Sequence, residues 1–122
     1  MIVSKFGGTS VGSAENIKKV IHIVQQKDQQ VTIVVSALGG VTNLLIKASE
    51  LALKNEAGYE QIVDQIEQRH FETIEGLLNH NNQTVSKAEV AKKLNKLKEI
   101  LDGVALLNDL SDKTSVITII WL

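Results

Sequence analysis

The sequence predicts an α/β fold: parallel strands joined by a helix, followed by a helical subdomain laid against them. Three observations predict it. Two short apolar runs, at 2–5 and 31–36, flank one amphipathic stretch at 13–26, the lengths of a strand–helix–strand unit. Each run ends in a glycine pair, Gly7-Gly8 and Gly39-Gly40. Beyond the second pair the pattern turns helical, with three long amphipathic stretches in succession.

Taken in order, Ile2 to Lys5 reads as the first strand. Ile17, Val20, Ile21 and Val24 then fall at i, i+3, i+4 and i+7, one apolar helix face, with Ser13 as its N-cap. Lys27-Asp28-Gln29-Gln30 is a polar connector. Val31-Thr32-Ile33-Val34-Val35 is nearly continuous in apolar, β-branched residues, which predicts a strand buried on both faces of a parallel sheet. Such a crossover is right-handed. Thr42 or Asn43 is expected to cap the next helix, whose face is Leu44, Leu45, Ala48, Leu51 and Ala52 and which fades near Asn55. Gly58 breaks the pattern. Tyr59, Ile62, Val63, Ile66, Ile74, Leu77 and Leu78 mark a longer helix ending near Asn79. His80-Asn81-Asn82-Gln83 reads as a polar turn. Ser86-Lys87-Ala88-Glu89 reads as a capping box opening a third helix with Val90, Leu94, Leu97, Leu101 and Val104. The apolar run from Ser115 to Leu122, free of charge and of Pro, has the profile of a strand or of an aggregation-prone segment.

Composition narrows the function classes. A net charge of −1 with no basic cluster among aromatics gives no electrostatic footprint for nucleic acid or an anionic membrane. No apolar run approaches spanning length, and Met1 leads straight into a strand without the profile of a secretory leader. The lack of cysteine excludes disulfides and thiolate metal sites and suits the cytoplasm, the expected location. His22, His70 and His80 are scattered, and no pair has the spacing of a helical zinc site. They read as surface or half-buried helix histidines, and no metal-ligating side chains are predicted.

The chemistry concentrates at the strand ends. Lys5-Phe6-Gly7-Gly8-Thr9-Ser10 places a lysine at the end of a strand, then a glycine pair, then hydroxyls, just before a helix start. Glycines let backbone N–H groups approach an anion, a helix N-terminus adds partial positive charge, and lysine adds a full one. A glycine pair after a strand is also a simple tight turn. The lysine precedes the glycines, so this is no P-loop, and the glycine spacing is not that of the dinucleotide fingerprint. Ser36-Ala37-Leu38-Gly39-Gly40-Val41-Thr42-Asn43 repeats the layout. In a parallel sheet both turns open on one edge, so they converge on one crevice suited to a small anionic ligand.

These two segments carry a resemblance. The string Lys5-Phe6-Gly7-Gly8-Thr9-Ser10-Val11, followed by Ser36-Ala37-Leu38-Gly39-Gly40-Val41-Thr42-Asn43-Leu44-Leu45, resembles aspartate kinases (aspartokinases), including the kinase end of bifunctional aspartokinase–homoserine dehydrogenases. The resemblance extends over about the first hundred and ten residues. It implies the amino-acid kinase fold, a three-layer α/β/α sandwich. It implies transfer of the ATP γ-phosphate to the side-chain carboxylate of L-aspartate, the first step toward lysine, threonine and methionine, with Mg²⁺ on the nucleotide. By the same resemblance Lys5 contacts the transferring phosphate as the catalytic cation. Lys5, Gly7, Gly8, Thr9 and Ser10 line the phosphate site, and Ser36, Ala37 and Thr42 hold aspartate.

Residues 1–122 are then expected to be the N-terminal part of the kinase domain, with the second half and the regulatory domains outside them. Such a part is expected to be inactive alone and to self-associate, with the tail from Val116 to Leu122 in the contact. Two alternatives stand beside this: another amino-acid kinase acting on a different acid or carbamate, and a non-catalytic helical interaction module whose glycine turns are purely structural.

Overall fold

The computed structural model describes residues 1–107. The order of elements is β1 (Ile2–Phe6), α1 (Ala14–Gln25), β2 (Val31–Val35), α2 (Val41–Leu53), α3 (Tyr59–Leu77) and α4 (His80–Leu107). The two strands pair in parallel, with Ile2 opposite Val31 and Phe6 opposite Val35. This register carries both glycine turns off the same edge, and the Ser36 N–H donates to the Phe6 carbonyl at 3.1 Å. The expected strand–helix–strand unit is therefore present. Residues 115–122, read above as a strand or an aggregation-prone segment, lie outside the described residues.

Local chemistry explains most of the boundaries. Ser13 caps α1 as expected, its hydroxyl accepting from the Asn16 N–H at 3.1 Å. Helix α2 is different, because neither Thr42 nor Asn43 caps it. Its N-cap is Gly40 in the left-handed region (φ 86°), with no side chain satisfying the first turn. The helix ends where expected. Asn55 takes the left-handed conformation (φ 51°), and the Glu56 and Asn55 N–H groups donate back to Leu51 and Ala52 at 2.9 Å each. That pattern is a Schellman closure, with asparagine standing where glycine is commoner.

The turn expected at 80–83 is instead the first turn of α4. Asn79 caps it, its side-chain oxygen accepting from the Asn82 N–H at 3.0 Å. Gln83 reaches back to the Leu78 carbonyl at 2.8 Å and satisfies the end of α3. The polar residues there saturate a helix start, and Ser86 lies inside α4.

The core sits among the last three helices. Val41, Leu45, Ala48 and Ala52 of α2 meet Ile62, Val63 and Ile66 of α3 and Leu94, Leu97, Leu101 and Val104 of α4. The 3–4–3 spacing on α4 gives a narrow seam, so that a long and otherwise polar helix buries one stripe. Full burial of each such leucine contributes about 1.5–3 kcal/mol. Ion pairs from Lys87 to Glu75 (2.7 Å) and from Lys98 to Asp64 (3.5 Å) tie α4 to α3 at the surface, where such pairs contribute little. Helix α1 docks on α3. There Gly76 leaves room for Ala14, whose Cβ would lie 2.6 Å from a Cβ at position 76.

The sheet departs from expectation. Among the described residues Ile33, Val34 and Val35 stay 46%, 46% and 56% exposed, and Ile21 on the predicted core face of α1 is 46% exposed. Among the described residues the parallel sheet has two strands, too little breadth to cover its own faces.

Tyr59, at the start of α3, donates to Asp102 Oδ1 of α4 at 2.5 Å. That hydrogen bond, then desolvation, then the charges of Asp102 and Glu60 push the phenol up to about 12. The folded value lies above the ordinary one near 10, so the stability this contact adds is present below about pH 10 and is lost as pH climbs through about 12. Tyr59 is the chain's only tyrosine, so a tyrosinate absorbance titration reads it alone. The midpoint should lie well above the ordinary value, and Asp102→Asn should lower it. An ordinary midpoint in the unsubstituted chain would overturn this contact.

Candidate functional site

The two glycine turns meet. A Cβ placed on Gly39 would stand 3.1 Å from the Gly8 carbonyl oxygen and 3.2 Å from the Gly12 Cα, and one on Gly8 would lie 3.5 Å from Ser36 Oγ. A methyl at Gly39 would therefore crowd the first turn, while one at Gly8 would make ordinary contact. An open cleft of about 580 Å³ lies over the junction, lined by Gly8, Thr9, Gly12, Ser13, Asn16, Gly39, Gly40 and Arg69.

The cleft is rich in backbone donors. Val11 and Gly12 close the first turn through the Gly7 and Thr9 carbonyls, at 3.2 Å each. The Gly8, Gly39 and Gly40 N–H groups have no acceptor among the described residues. The N-termini of α1 and α2 both abut the cleft, through Ser13 and Gly40. Asn16 braces the first turn, its amide donating to the Thr9 carbonyl at 3.1 Å. Donors without acceptors at two helix starts suit an oxyanion. No cluster of three or more His, Cys, Asp or Glu able to hold a metal ion occurs among the described residues.

Of the residues singled out in the sequence, Gly8 and Thr9 line the cleft. Ser36 borders it, in contact range of Gly8, and its hydroxyl donates to the Ala37 carbonyl at 2.8 Å. Gly7 begins the turn without lining the cleft. Ser10 faces a neighbouring, more apolar hollow of about 300 Å³ shared with Phe6, Thr9, Lys19 and Ile23. Lys5 is the next-to-last residue of β1, on the exposed side of the strand, and its ammonium makes no ion pair or hydrogen bond among the described residues. Thr42 is exposed in the first turn of α2, and Ala37 is half-buried beside Ser36. The histidines are as expected: His22 and His80 are exposed, and His70 is half-buried with Nδ1 on the Ile66 carbonyl at 2.7 Å.

Sequence reasoning missed Gly12, Asn16 and Arg69. Asn16 carried a signal, since it stands three residues after the cap Ser13. Arg69 carried another as the chain's lone arginine.

Gly39→Ala should press its methyl onto the first turn and force the turns apart by a few tenths of an ångström. Anion affinity should fall with only a modest loss of stability, measured by isothermal titration beside thermal melting. Unchanged affinity would show that the close approach is incidental to the site.

A parallel sheet with glycine turns and helix starts converging at its strand ends defines a class of α/β proteins that hold phosphate-bearing ligands. The amino acid kinase family model matches residues 1–101, and the chain belongs to that family. It is 34% identical over 124 residues to the bifunctional aspartokinase/homoserine dehydrogenase of Buchnera aphidicola subsp. Acyrthosiphon pisum (strain APS), covering 98% of this chain and 15% of that protein. It is 34% identical over 113 residues to aspartokinase 2, chloroplastic, of Arabidopsis thaliana, covering 92% of this chain and 20% of that one. The crystal structure of E. coli aspartokinase III in complex with aspartate and ADP superposes with a TM-score of 0.84 at 28% identity, over 99% of this chain and 26% of that chain. The chain thus has the amino-acid kinase fold and spans between 15% and 26% of the length of these three proteins.

Proposed function

We propose that this chain is the N-terminal part of an aspartate kinase catalytic domain and supplies one wall of its phosphate site. The reaction is transfer of the ATP γ-phosphoryl group to the side-chain carboxylate of L-aspartate. One observation carries most of the weight: two glycine turns in contact present the Gly8, Gly39 and Gly40 N–H groups without protein acceptors. Water can satisfy such donors in a solvated turn, so the support lies in their convergence: donors from two turns line one cleft beside two helix starts.

Phosphoryl transfer needs positioning and charge neutralisation more than covalent chemistry. In this site Gly8 and Thr9 take the phosphate oxygens, and Lys5 supplies the cation at the strand end. Ser36 and Thr42 hold aspartate beside it, with Ala37 shaping the wall. The described residues do not fit a protein-held Mg²⁺, since no carboxylate lines the cleft. Mg²⁺ would enter with the nucleotide phosphates, as the resemblance implies. No helix among the described residues is long and apolar enough to cross a membrane. A cytoplasmic location is part of the proposal, though the similar Arabidopsis protein is named chloroplastic.

The encoded sequence beyond Leu122 and an assay of the completed polypeptide test this. Aspartate-dependent release of ADP is expected. Preference for another acid or a carbamate would overturn the substrate assignment. Within that enzyme Thr42→Val should raise the KM for aspartate far more than it lowers kcat, because it removes a donor from the bound substrate and leaves the phosphate site intact. An unchanged KM would remove Thr42 from the aspartate site.

A further inference from the structure

Thirteen residues of the chain are Lys or Arg, and Arg69 is the one arginine. The others can serve as solvated point charges, but arginine alone offers a planar fork of donors. Arg69 uses that fork at the cleft. It rises from α3, and its Nη1 donates to Thr73 Oγ1 at 3.1 Å. Thr73 is buried and donates in turn to the Arg69 carbonyl at 2.9 Å, which anchors the stem. Nη2 donates to the carbonyl of Gly12 in the first turn. The same nitrogen lies 3.9 Å from the position of a Cβ on Gly39 in the second turn. One guanidinium, from a third element, therefore bonds the first turn and stands beside the second.

The Gly12 carbonyl sets the electrostatic problem. Gly12 lines the cleft, and a bare carbonyl oxygen there would repel phosphate. Arg69 caps it and leaves further N–H donors, since a guanidinium carries more than these two bonds use. We propose that Arg69 is a positioning residue of the phosphate cleft: it braces the first glycine turn beside the second, masks the Gly12 carbonyl and presents positive charge to the bound oxyanion. This rests on the phosphate site proposed above. It also gives the helical subdomain a role, because α3 then holds the geometry of the strand-end turns.

The test is a titration of the ¹⁵N-labelled chain with inorganic pyrophosphate, following the Gly8, Gly12 and Gly39 amides, with melting measured in parallel. Arg69→Gln should weaken binding about tenfold or more, the scale of losing a charge-assisted contact. Its affinity should fall by more than its stability loss explains. Arg69→Lys should recover part of the affinity, because it restores the charge without the fork. A strut without electrostatic function would give the same affinity for Gln and Lys, and that result would overturn the proposal. Equal binding by the Arg69→Gln and unsubstituted chains would also overturn it and leave the phosphate site standing. Should Arg69→Gln fail to fold, Arg69→Lys decides alone. It must bind severalfold more weakly, since one ammonium cannot span Gly12 and Thr73 together. If the unsubstituted chain leaves those amides unmoved, the phosphate site itself falls, and the role of Arg69 with it.

Discussion

In the proposed full-length kinase, Lys5→Ala should lower kcat/KM by about a hundredfold or more, the scale of losing one preorganised charge contact at a transition state. Lys5 is the next-to-last residue of β1, opposite Val34, with Phe6 between it and the glycine pair. Its ammonium is exposed and carries no ion pair or hydrogen bond among the described residues, so no partner competes for it before substrate arrives. It does not line the cleft between the turns, and its flexible stem has to swing over the strand end to reach a phosphate held there. A charge that engages chiefly the transferring phosphoryl group acts on kcat, so kcat and kcat/KM should fall together while the KM for aspartate changes little. Lys5→Arg should not restore full activity, because a planar fork cannot take the place of a compact ammonium. Steady-state kinetics with varied ATP and varied aspartate separate these effects. Near-normal turnover by Lys5→Ala would remove it from the chemistry.

The parts of this chain that were legible in the sequence are those fixed by local patterns. Apolar runs and helical period marked the strands, helix α1 with its Ser13 cap, and the core positions from Leu45 to Val104, because each depends on neighbours a few residues away. Convergence of the glycine turns was legible too, since parallel pairing forces both strand ends to one edge. The misses are of another kind. His80 to Gln83 has the composition of a turn, and only the position of the Leu78 carbonyl makes it a helix start. Val31 to Val35 has the composition of a strand covered on both faces, and covering it requires elements that the described residues do not supply. Arg69 sits fifty-seven residues from Gly12, and no periodicity links a helix-surface arginine to a distant turn. Composition held one hint, a single arginine where every other basic side chain is lysine.

Residues 1–122 by themselves should show no aspartate-dependent consumption of ATP, and they should self-associate. The cleft explains the first expectation. It is open, its described walls offer donors for phosphate and no enclosure for a nucleotide base, and Lys5 stands outside it. In-line attack requires the carboxylate and the γ-phosphate to be held together. Correct orientation is worth effective molarities of up to about 10⁵ M or more, and a single wall forfeits most of that. The sheet explains the second expectation. Val3 is 64% exposed and Val35 56%, and Ile33 and Val34 lie beside them on strands that have one neighbour each among the described residues. Apolar strands with unpaired backbone groups recruit another chain. Light scattering on the purified chain should report a dimer or larger, and Val35→Lys should shift it toward monomer by placing a charge on the exposed strand. A monomer at micromolar concentration would defeat the association, and ATP turnover that depends on aspartate would show that one wall suffices.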